Sequence, residues 1–143
     1  MKLVKVVSVF TLSCLLFTAC STSGSATSIL NHKKSSLYGS EWKLVDDENS
    51  IVKGFNGENV SLKIDPNDFK VSGFAGCNQY HSEAAADGNS ISFAPVGSTK
   101  MLCPEAKSEA AFLGVLDDVN RYEIKGNELY FYKGNMLLLK FVN

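Results

Sequence analysis

Histidine and proline are scarce in this chain, which has two histidines and three prolines among 143 residues. So few histidines leave little material for histidine-based catalysis. The formal net charge is −1, and no cluster of Lys and Arg is present, so a nucleic-acid-binding face is not indicated. No apolar run of about 18 residues lies beyond the N-terminus, which excludes a membrane-spanning body. Hydrophobic residues make up 45% and charged residues 20%, a composition typical of one globular domain.

The N-terminus has the pattern of an export signal. Lys2 and Lys5 precede the apolar stretch Val6–Phe17, which is too short to span a bilayer comfortably and is about right for a cleaved signal. The stretch leads into LFTAC, ending at Cys20. Small residues before a cysteine resemble a bacterial lipobox, in which the thiol carries a lipid. We therefore predict a lipoprotein signal peptide at 1–19; an ordinary secretory signal is the alternative.

Lipidation at Cys20 would anchor the protein to a membrane without spanning it. Ser21 follows the cysteine; in a bacterium with two membranes this favours the outer membrane, facing the periplasm. Residues 20–37 are rich in Ser and Thr and lack an apolar period, which predicts a flexible tether reaching about 20–25 Å. The sequence thus divides into a signal at 1–19, a lipidated tether at 20–37 and a domain at 38–143.

The domain is dominated by alternation of apolar and polar residues, the pattern of half-buried strands. Residues 104–119 break the pattern: Ala106, Ala110, Leu113 and Leu116 recur at helical spacing after Pro104. We predict a mainly β fold: a small, antiparallel, partly open, lipocalin-like β-barrel of about seven or eight short strands with one amphipathic helix. The aromatic residues expected to supply its core are Trp42, Phe55, Phe69, Phe74, Phe93, Phe112, Tyr122, Phe131 and Phe141.

Cys77 and Cys103 are the two cysteines of the domain. In an exported, oxidising setting an even number of thiols favours a disulfide. Closing the loop between them would stabilise the fold by roughly 3–4 kcal/mol in the chain-entropy model. Because spacing alone does not establish proximity, two buried free thiols are the alternative.

Short motifs around these cysteines resemble the META domain family, which includes the bacterial heat-shock protein HslJ and many small envelope lipoproteins. The segment GFAGCNQY is similar to the family's GxxGCNxY core, WKL to its first strand and STKMLCP to its turn before the helix. The matching motif residues are Trp42, Gly73, Gly76, Cys77, Asn78, Tyr80, Thr99, Met101, Cys103 and Pro104. The resemblance implies a lipocalin-like barrel with a helix, and a role in envelope stress and tolerance of hydrophobic antibiotics. It supplies no catalytic residue, cofactor or ligand.

The motif residues have structural interpretations. Gly73 and Gly76 suggest a bulge or a close backbone approach. Asn78 is expected to satisfy backbone groups in a turn, with a ligand role as the alternative. Cys77 and His81 could supply two metal ligands or a catalytic pair, but a structural zinc site needs about four ligands and a disulfide would consume the nucleophile. Residues 81–86 depart from the family pattern and form either a binding surface or a divergent edge.

Together these observations predict a non-enzymatic, membrane-anchored lipoprotein that binds an envelope component, with no catalytic residue, metal or cofactor. Its partners would be the membrane, through Cys20, and an envelope protein that contacts an exposed sheet edge or loop. One alternative is a binder of small hydrophobic ligands in the barrel interior, although small barrels are usually filled by their own side chains. Another is a periplasmic protease inhibitor. The sequence does not determine the oligomeric state.

Overall fold

The structure, a computed structural model, describes residues 36–104 and 106–143. The predicted signal peptide, Cys20 and all but the last two residues of the tether lie outside the described residues. The strands are β1 (Glu41–Val45), β2 (Ser61–Ile64), β3 (Lys70–Phe74), β4 (Gln79–Asp87), β5 (Ser90–Phe93), β6 (Gly97–Ser98), β7 (Arg121–Lys125), β8 (Glu128–Lys133) and β9 (Met136–Val142). A single helix among the described residues, α1 (Ala106–Asp118), lies between β6 and β7.

All the strand pairings are antiparallel, and the sheet curves into a ring. The order is β3-β2-β1-β9-β8-β7-β5-β4-β6, and an additional β3–β4 pairing closes the ring. The weakest junction lies between β5 and β7, which pair only at Ser90 and Arg121. This confirms the prediction of a mainly β, partly open antiparallel barrel with one helix. The described strands number nine because the two-residue β6 adds to the eight that form the ring.

The interior of the barrel is filled by side chains. A chain of edge-to-face aromatic contacts crosses it, from Phe93 through Phe131, Phe141 and Phe112 to Tyr80, with ring centroids 5.5–6.5 Å apart. Edge-to-face pairs contribute about 0.5–1.5 kcal/mol each beyond the area that they bury. The side chains that are buried most completely include Trp42, Leu62, Ile64, Leu116, Leu129, Phe131 and Phe141.

Two of the aromatics expected in the core are at the surface. Phe55 is 51% exposed and Phe69 is 47% exposed. Phe55 lies in the loop before β2, and Phe69 has a positive φ of 58° in the turn between β2 and β3. The Phe69 ring packs against Tyr38 instead, with ring centroids 5.6 Å apart. Turn backbone directs these side chains away from the core, which strand alternation does not reveal.

The helix lies within the predicted 104–119 segment, but its buried face differs from the prediction. Ala106 and Ala110 are exposed, whereas Glu109, Phe112 and Leu116 are buried. The larger apolar areas of Phe112 and Leu116 set the orientation of the helix, since alanine contributes little burial energy. Glu109 is tolerated on the same face because its carboxylate has hydrogen-bond partners.

Candidate functional site

The turn between β3 and β4 contains Asn78, which connects three parts of the chain. Asn78 Oδ1 accepts hydrogen bonds from Thr99 Oγ1 at 2.8 Å and from the Met101 amide at 2.7 Å. Asn78 Nδ2 donates to both carboxylate oxygens of Glu109, at 3.1 and 3.2 Å, and the Asn78 backbone N–H donates to the same carboxylate at 2.7 Å. We call Asn78, Thr99, Met101 and Glu109 the Asn78 cluster. It ties the β3–β4 turn to the β6–α1 loop and to the helix.

A disulfide reinforces the same junction. Cys77 and Cys103 are bonded, with their Cα atoms 6.0 Å apart, so the prediction of a disulfide is confirmed and the alternative of two buried free thiols is wrong. The bond joins the residue before Asn78 to the loop that precedes α1. In this state Cys77 has no free thiol to act as a nucleophile or a metal ligand.

Gly73 allows a close approach between β2, β3 and β4. A Cβ atom at this position would collide with the backbone carbonyl oxygen of Ser61 and would press on the ring of Tyr80. The Tyr80 ring crosses over the glycine, and its hydroxyl donates a hydrogen bond to that same Ser61 oxygen at 2.9 Å. Burial raises the pKa of the Tyr80 hydroxyl, because the charged phenolate would be poorly solvated there.

The remaining motif residues divide between buried and exposed positions. Trp42 is fully buried, and its indole N–H donates to the Leu37 carbonyl at 3.2 Å. Gly76 has a φ of 104°, in the left-handed region that favours glycine. Pro104 is exposed and precedes the helix, and the Met101 side chain is 57% exposed although its backbone belongs to the Asn78 cluster. Most motif residues therefore hold the helix-bearing end of the barrel together.

His81 and Cys77 face different surroundings. Cys77 is buried, whereas His81 is exposed on the outer face of β4, where it packs against Gly97. Strand β4 is hydrogen-bonded to β3 on one side and to β5 and β6 on the other. Residues 81–83 are therefore in the interior of the sheet, whereas Ala85 and Ala86 pair with β5 on one side and lie beyond the end of the β3 pairing on the other. Within the described part of the chain, no group of three or more His, Cys, Asp or Glu side chains is placed to hold a metal ion.

The outer face of β2, β3 and β4 has a groove that the sequence analysis did not find. Its volume is about 680 Å³, within the range usual for small-molecule sites. Strand register brings its floor together: Lys63 lies opposite Ser72, Ser72 opposite His81, and Lys70 opposite Glu83. We call this the β2–β4 groove. It is lined by Lys63, Asp65, Asp68, Lys70, Val71, Ser72, His81, Ser82, Glu83, Ala94 and Pro95.

Charges of both signs line the β2–β4 groove. Lys70 forms an ion pair with Asp68 at 2.7 Å, and their hydrogen bond lowers the pKa of Asp68 and raises that of Lys70. Lys63 and Glu83 have no ion-pair partner among the described residues, although Glu83 lies opposite Lys70 in the sheet. Asp65 forms no ion pair either; its Oδ1 accepts hydrogen bonds from the backbone N–H and the side-chain amide of Asn67, at 2.8 and 3.0 Å. Outside the Lys70–Asp68 pair the groove therefore presents one cation, Lys63, and two carboxylates, Asp65 and Glu83.

The groove lies at the end of the domain where the preceding segment joins it. The Gly39 amide donates to the Ile64 carbonyl at 2.8 Å, and Tyr38 packs on Phe69. Asp65 and Asp68, in the turn that contains Phe69, line the groove. Only this turn therefore separates the groove from the point where the N-terminal segment joins the domain.

The barrel interior offers much less space. A cavity of about 140 Å³ lies between α1 and the loop before β2, lined in part by Gly54, Gly76 and Phe112. This is below the roughly 300 Å³ at which sites for drug-sized ligands begin. The packed interior therefore disfavours the alternative of a hydrophobic-ligand binder.

Fold and motif geometry together define a class: small curled antiparallel barrels whose helix is fastened to a glycine-rich strand turn by an asparagine and a disulfide. The chain belongs to the META domain family, whose family model matches residues 35–143. Among the described residues, no helix combines the length and the apolar character that a bilayer-spanning segment requires.

Solved structures show the same fold. A protein from Burkholderia xenovorans, solved by NMR, is 24% identical with a TM-score of 0.59, and the match covers 74% of this chain and 82% of that one. Another NMR structure is 13% identical with a TM-score of 0.55, and the match covers 71% of this chain and 86% of that one. At these identities the likeness concerns the fold alone. No curated protein sequence matches the chain.

Proposed function

We propose that this protein is a non-enzymatic META-domain lipoprotein of the bacterial cell envelope, anchored through Cys20, which binds an envelope component in its β2–β4 groove. The observation that carries the proposal is the groove itself, with its uncompensated charges, beside the point where the N-terminal segment joins the domain. In a bacterium with two membranes the protein would face the periplasm from the outer membrane. As the family resemblance implies, it would contribute to tolerance of stress and of hydrophobic antibiotics.

A binding role is favoured over catalysis by the state of the polar groups. Cys77 is consumed by the disulfide. The polar groups of the Asn78 cluster satisfy one another, and no buried side-chain nitrogen or oxygen of the described residues lacks a hydrogen-bond partner. A cluster that is internally satisfied serves to hold the fold. The groove, by contrast, presents charges that are open to a partner.

The anchor would raise the concentration of partners around the groove. Leu37, at the end of the predicted tether, is buried in the core, so the tether would comprise residues 20–36. A flexible chain of that length and composition would hold the domain at an average distance of about 20–25 Å from its lipid. Tethering makes encounters with other membrane-bound components effectively intramolecular, which strengthens weak binding without new contacts. A modest groove is then sufficient for function.

The anchor is tested by substituting the cysteine. Cys20→Ala should move the protein from the membrane fraction to the soluble fraction and abolish its labelling with a fatty-acid analogue. Cys14→Ala is the matched control, because Cys14 lies inside the apolar stretch of the signal, and it should leave both readouts unchanged. Unchanged membrane partitioning of Cys20→Ala would refute the anchor.

The groove is tested by site-specific photo-crosslinking in intact cells. A photoreactive amino acid at Ser72, on the floor of the groove, should yield a discrete adduct in the anchored protein and a weaker one in the Cys20→Ala form. The same group at Lys107, which is exposed on α1, is the control and should yield no such adduct. Equal adducts from both positions would show that the groove is not the binding surface.

A further inference from the structure

We propose that the β2–β4 groove binds a short peptide that carries a free carboxylate and a free ammonium, with the carboxylate at Lys63 and the ammonium at Glu83. This inference rests on the proposed binding function and names the class of ligand for that same groove. It follows from three features of the groove: the signs of its uncompensated charges, the distance between them and the groups that lie between them.

The charges favour a ligand with both signs. Lys70 lies opposite Glu83 in the β3–β4 register, yet its ammonium is 2.7 Å from Asp68. Within the described part of the chain neither Glu83 nor Lys63 forms an ion pair. Asp65 also lines the groove, but its Oδ1 is occupied by two hydrogen bonds from Asn67, which leaves Glu83 as the more available carboxylate. A simple anion would use only Lys63, and a simple cation would use only a carboxylate, Glu83 or Asp65. A zwitterion pairs with both.

The separation of the two charges indicates the length of the ligand. Lys63 on β2 and Glu83 on β4 are separated by one intervening strand, about 10 Å across the sheet. Glu83 is also two residues beyond His81, which shares a row with Lys63, and this adds about 7 Å along the strand. The combined span is about 12 Å between Cα atoms, and both side chains can lean inward. An extended chain of three residues spans about 10 Å, which matches this separation.

The middle of the groove suits a peptide backbone. Ser72 and His81 lie side by side on the floor between the two charges, and both can donate and accept hydrogen bonds. Ala94 and Pro95 form an apolar wall, held to β4 by a hydrogen bond of 2.7 Å from Ser82 Oγ to the Ala94 carbonyl. A volume of about 680 Å³ is ample for a tripeptide.

The test uses trialanine with free termini as the probe and the ¹⁵N-labelled domain, followed by NMR. Backbone signals of β2, β3 and β4 should shift with a saturable dependence on peptide concentration up to about 10 mM. N-acetylated trialanine and the C-terminal amide should each bind about tenfold more weakly, since each loses one charge-assisted contact.

Variants assign the two ends of the ligand. Lys63→Gln should weaken binding of free trialanine about tenfold, and this variant should bind free trialanine and its C-terminal amide equally well. Glu83→Gln should likewise weaken binding of free trialanine about tenfold and should bind the free and N-acetylated peptides equally well. Lys107→Gln and Glu48→Gln, at exposed positions outside the groove, are the matched controls and should bind as the unmodified protein does.

Three outcomes would overturn the proposal: no saturable shifts, equal binding of capped and free peptides, or shifts that lie outside β2–β4. The peptide series on the unmodified protein decides the question even if a variant fails to fold. Failure here combined with a Ser72 adduct in cells would refute the peptide class and leave the groove's binding function intact. Absence of a Ser72 adduct in cells would refute the proposal that the β2–β4 groove binds an envelope component.

Discussion

Asn78 and Glu109 are 31 residues apart in the chain, yet the carboxylate of Glu109 accepts hydrogen bonds from both the backbone and the side chain of Asn78. Both residues are buried. The pair closes one end of the barrel, because it fixes the first turns of α1 against the β3–β4 turn.

Asn78→Ala should destabilise the protein by about 2–4 kcal/mol, because it leaves the buried Glu109 carboxylate and the Met101 amide with fewer partners. The double variant Asn78→Ala/Glu109→Ala should lose less than the sum of the single variants, since the residues are in contact. Urea unfolding measures all three. Ser108→Ala, exposed on the same helix, is the control. A loss for Asn78→Ala no larger than for this control would contradict the structural role of Asn78.

Gly73→Ala should prevent folding or cost several kcal/mol, since its Cβ would collide with the Ser61 carbonyl and the Tyr80 ring. Gly114→Ala is the matched control. A Cβ at Gly114 would meet no atom within 4 Å, and the residue is exposed in the middle of α1. This variant should therefore be more stable by about 0.5–1 kcal/mol. Thermal unfolding of the two variants distinguishes them by the sign of the change. A mild effect of Gly73→Ala would show that β2 and β3 separate easily.

Reduction of the Cys77–Cys103 disulfide should destabilise the domain by roughly 3–4 kcal/mol. The measurement is urea unfolding with and without dithiothreitol, accompanied by counting of free thiols. The Cys77→Ala/Cys103→Ala variant should match the reduced protein in stability, and dithiothreitol should have no effect on it. A stability that does not change on reduction would mean that the Asn78 cluster alone holds the loop.

The stability of the domain should fall above pH 10, and Tyr80 should account for part of the fall. Burial raises the pKa of the folded-state hydroxyl above the ordinary value of 10.0. Above pH 10 the unfolded chain therefore loses a proton that the folded chain keeps, and deprotonation favours unfolding. For this one group the free energy of unfolding should fall by up to about 1.36 kcal/mol for each pH unit above pH 10.

Tyr80→Phe removes this component and also the hydrogen bond to Ser61, so we expect a loss of about 1 kcal/mol at pH 7 and a shallower decline above pH 10. Urea unfolding between pH 7 and pH 11 measures both. Tyr132→Phe is the comparison, since Tyr132 is half-exposed and its hydroxyl donates to Glu123 at 3.4 Å. Equal slopes for the unmodified protein and Tyr80→Phe would contradict the assignment to Tyr80.

The chain itself carries the information that specifies the strands, the helix and the disulfide. Alternation in segments such as that of β2 is a local property of the chain, and so is the helical spacing that includes Leu113 and Leu116. The resemblance to the family motifs indicated how these elements are arranged, as a small barrel with one helix. The prediction of burial was wrong where local pattern and tertiary contact disagree. These positions are Phe55 and Phe69, which lie in turns, and Ala106 and Ala110 on the helix.

The groove depends on register, which only the tertiary structure decides. Lys63 and Glu83 are 20 positions apart on strands that are not adjacent, and nothing in the local sequence places them on one face of one sheet. The same is true of Asn78 and Glu109. The sequence determined the kinds of element through local preferences that act over a few residues. The disulfide was predicted from the even number of cysteines in the domain, and only the fold brings the two together. Cross-strand pairing and the choice of the buried helix face were decided by packing of the whole domain, because these contacts join residues that are distant along the chain.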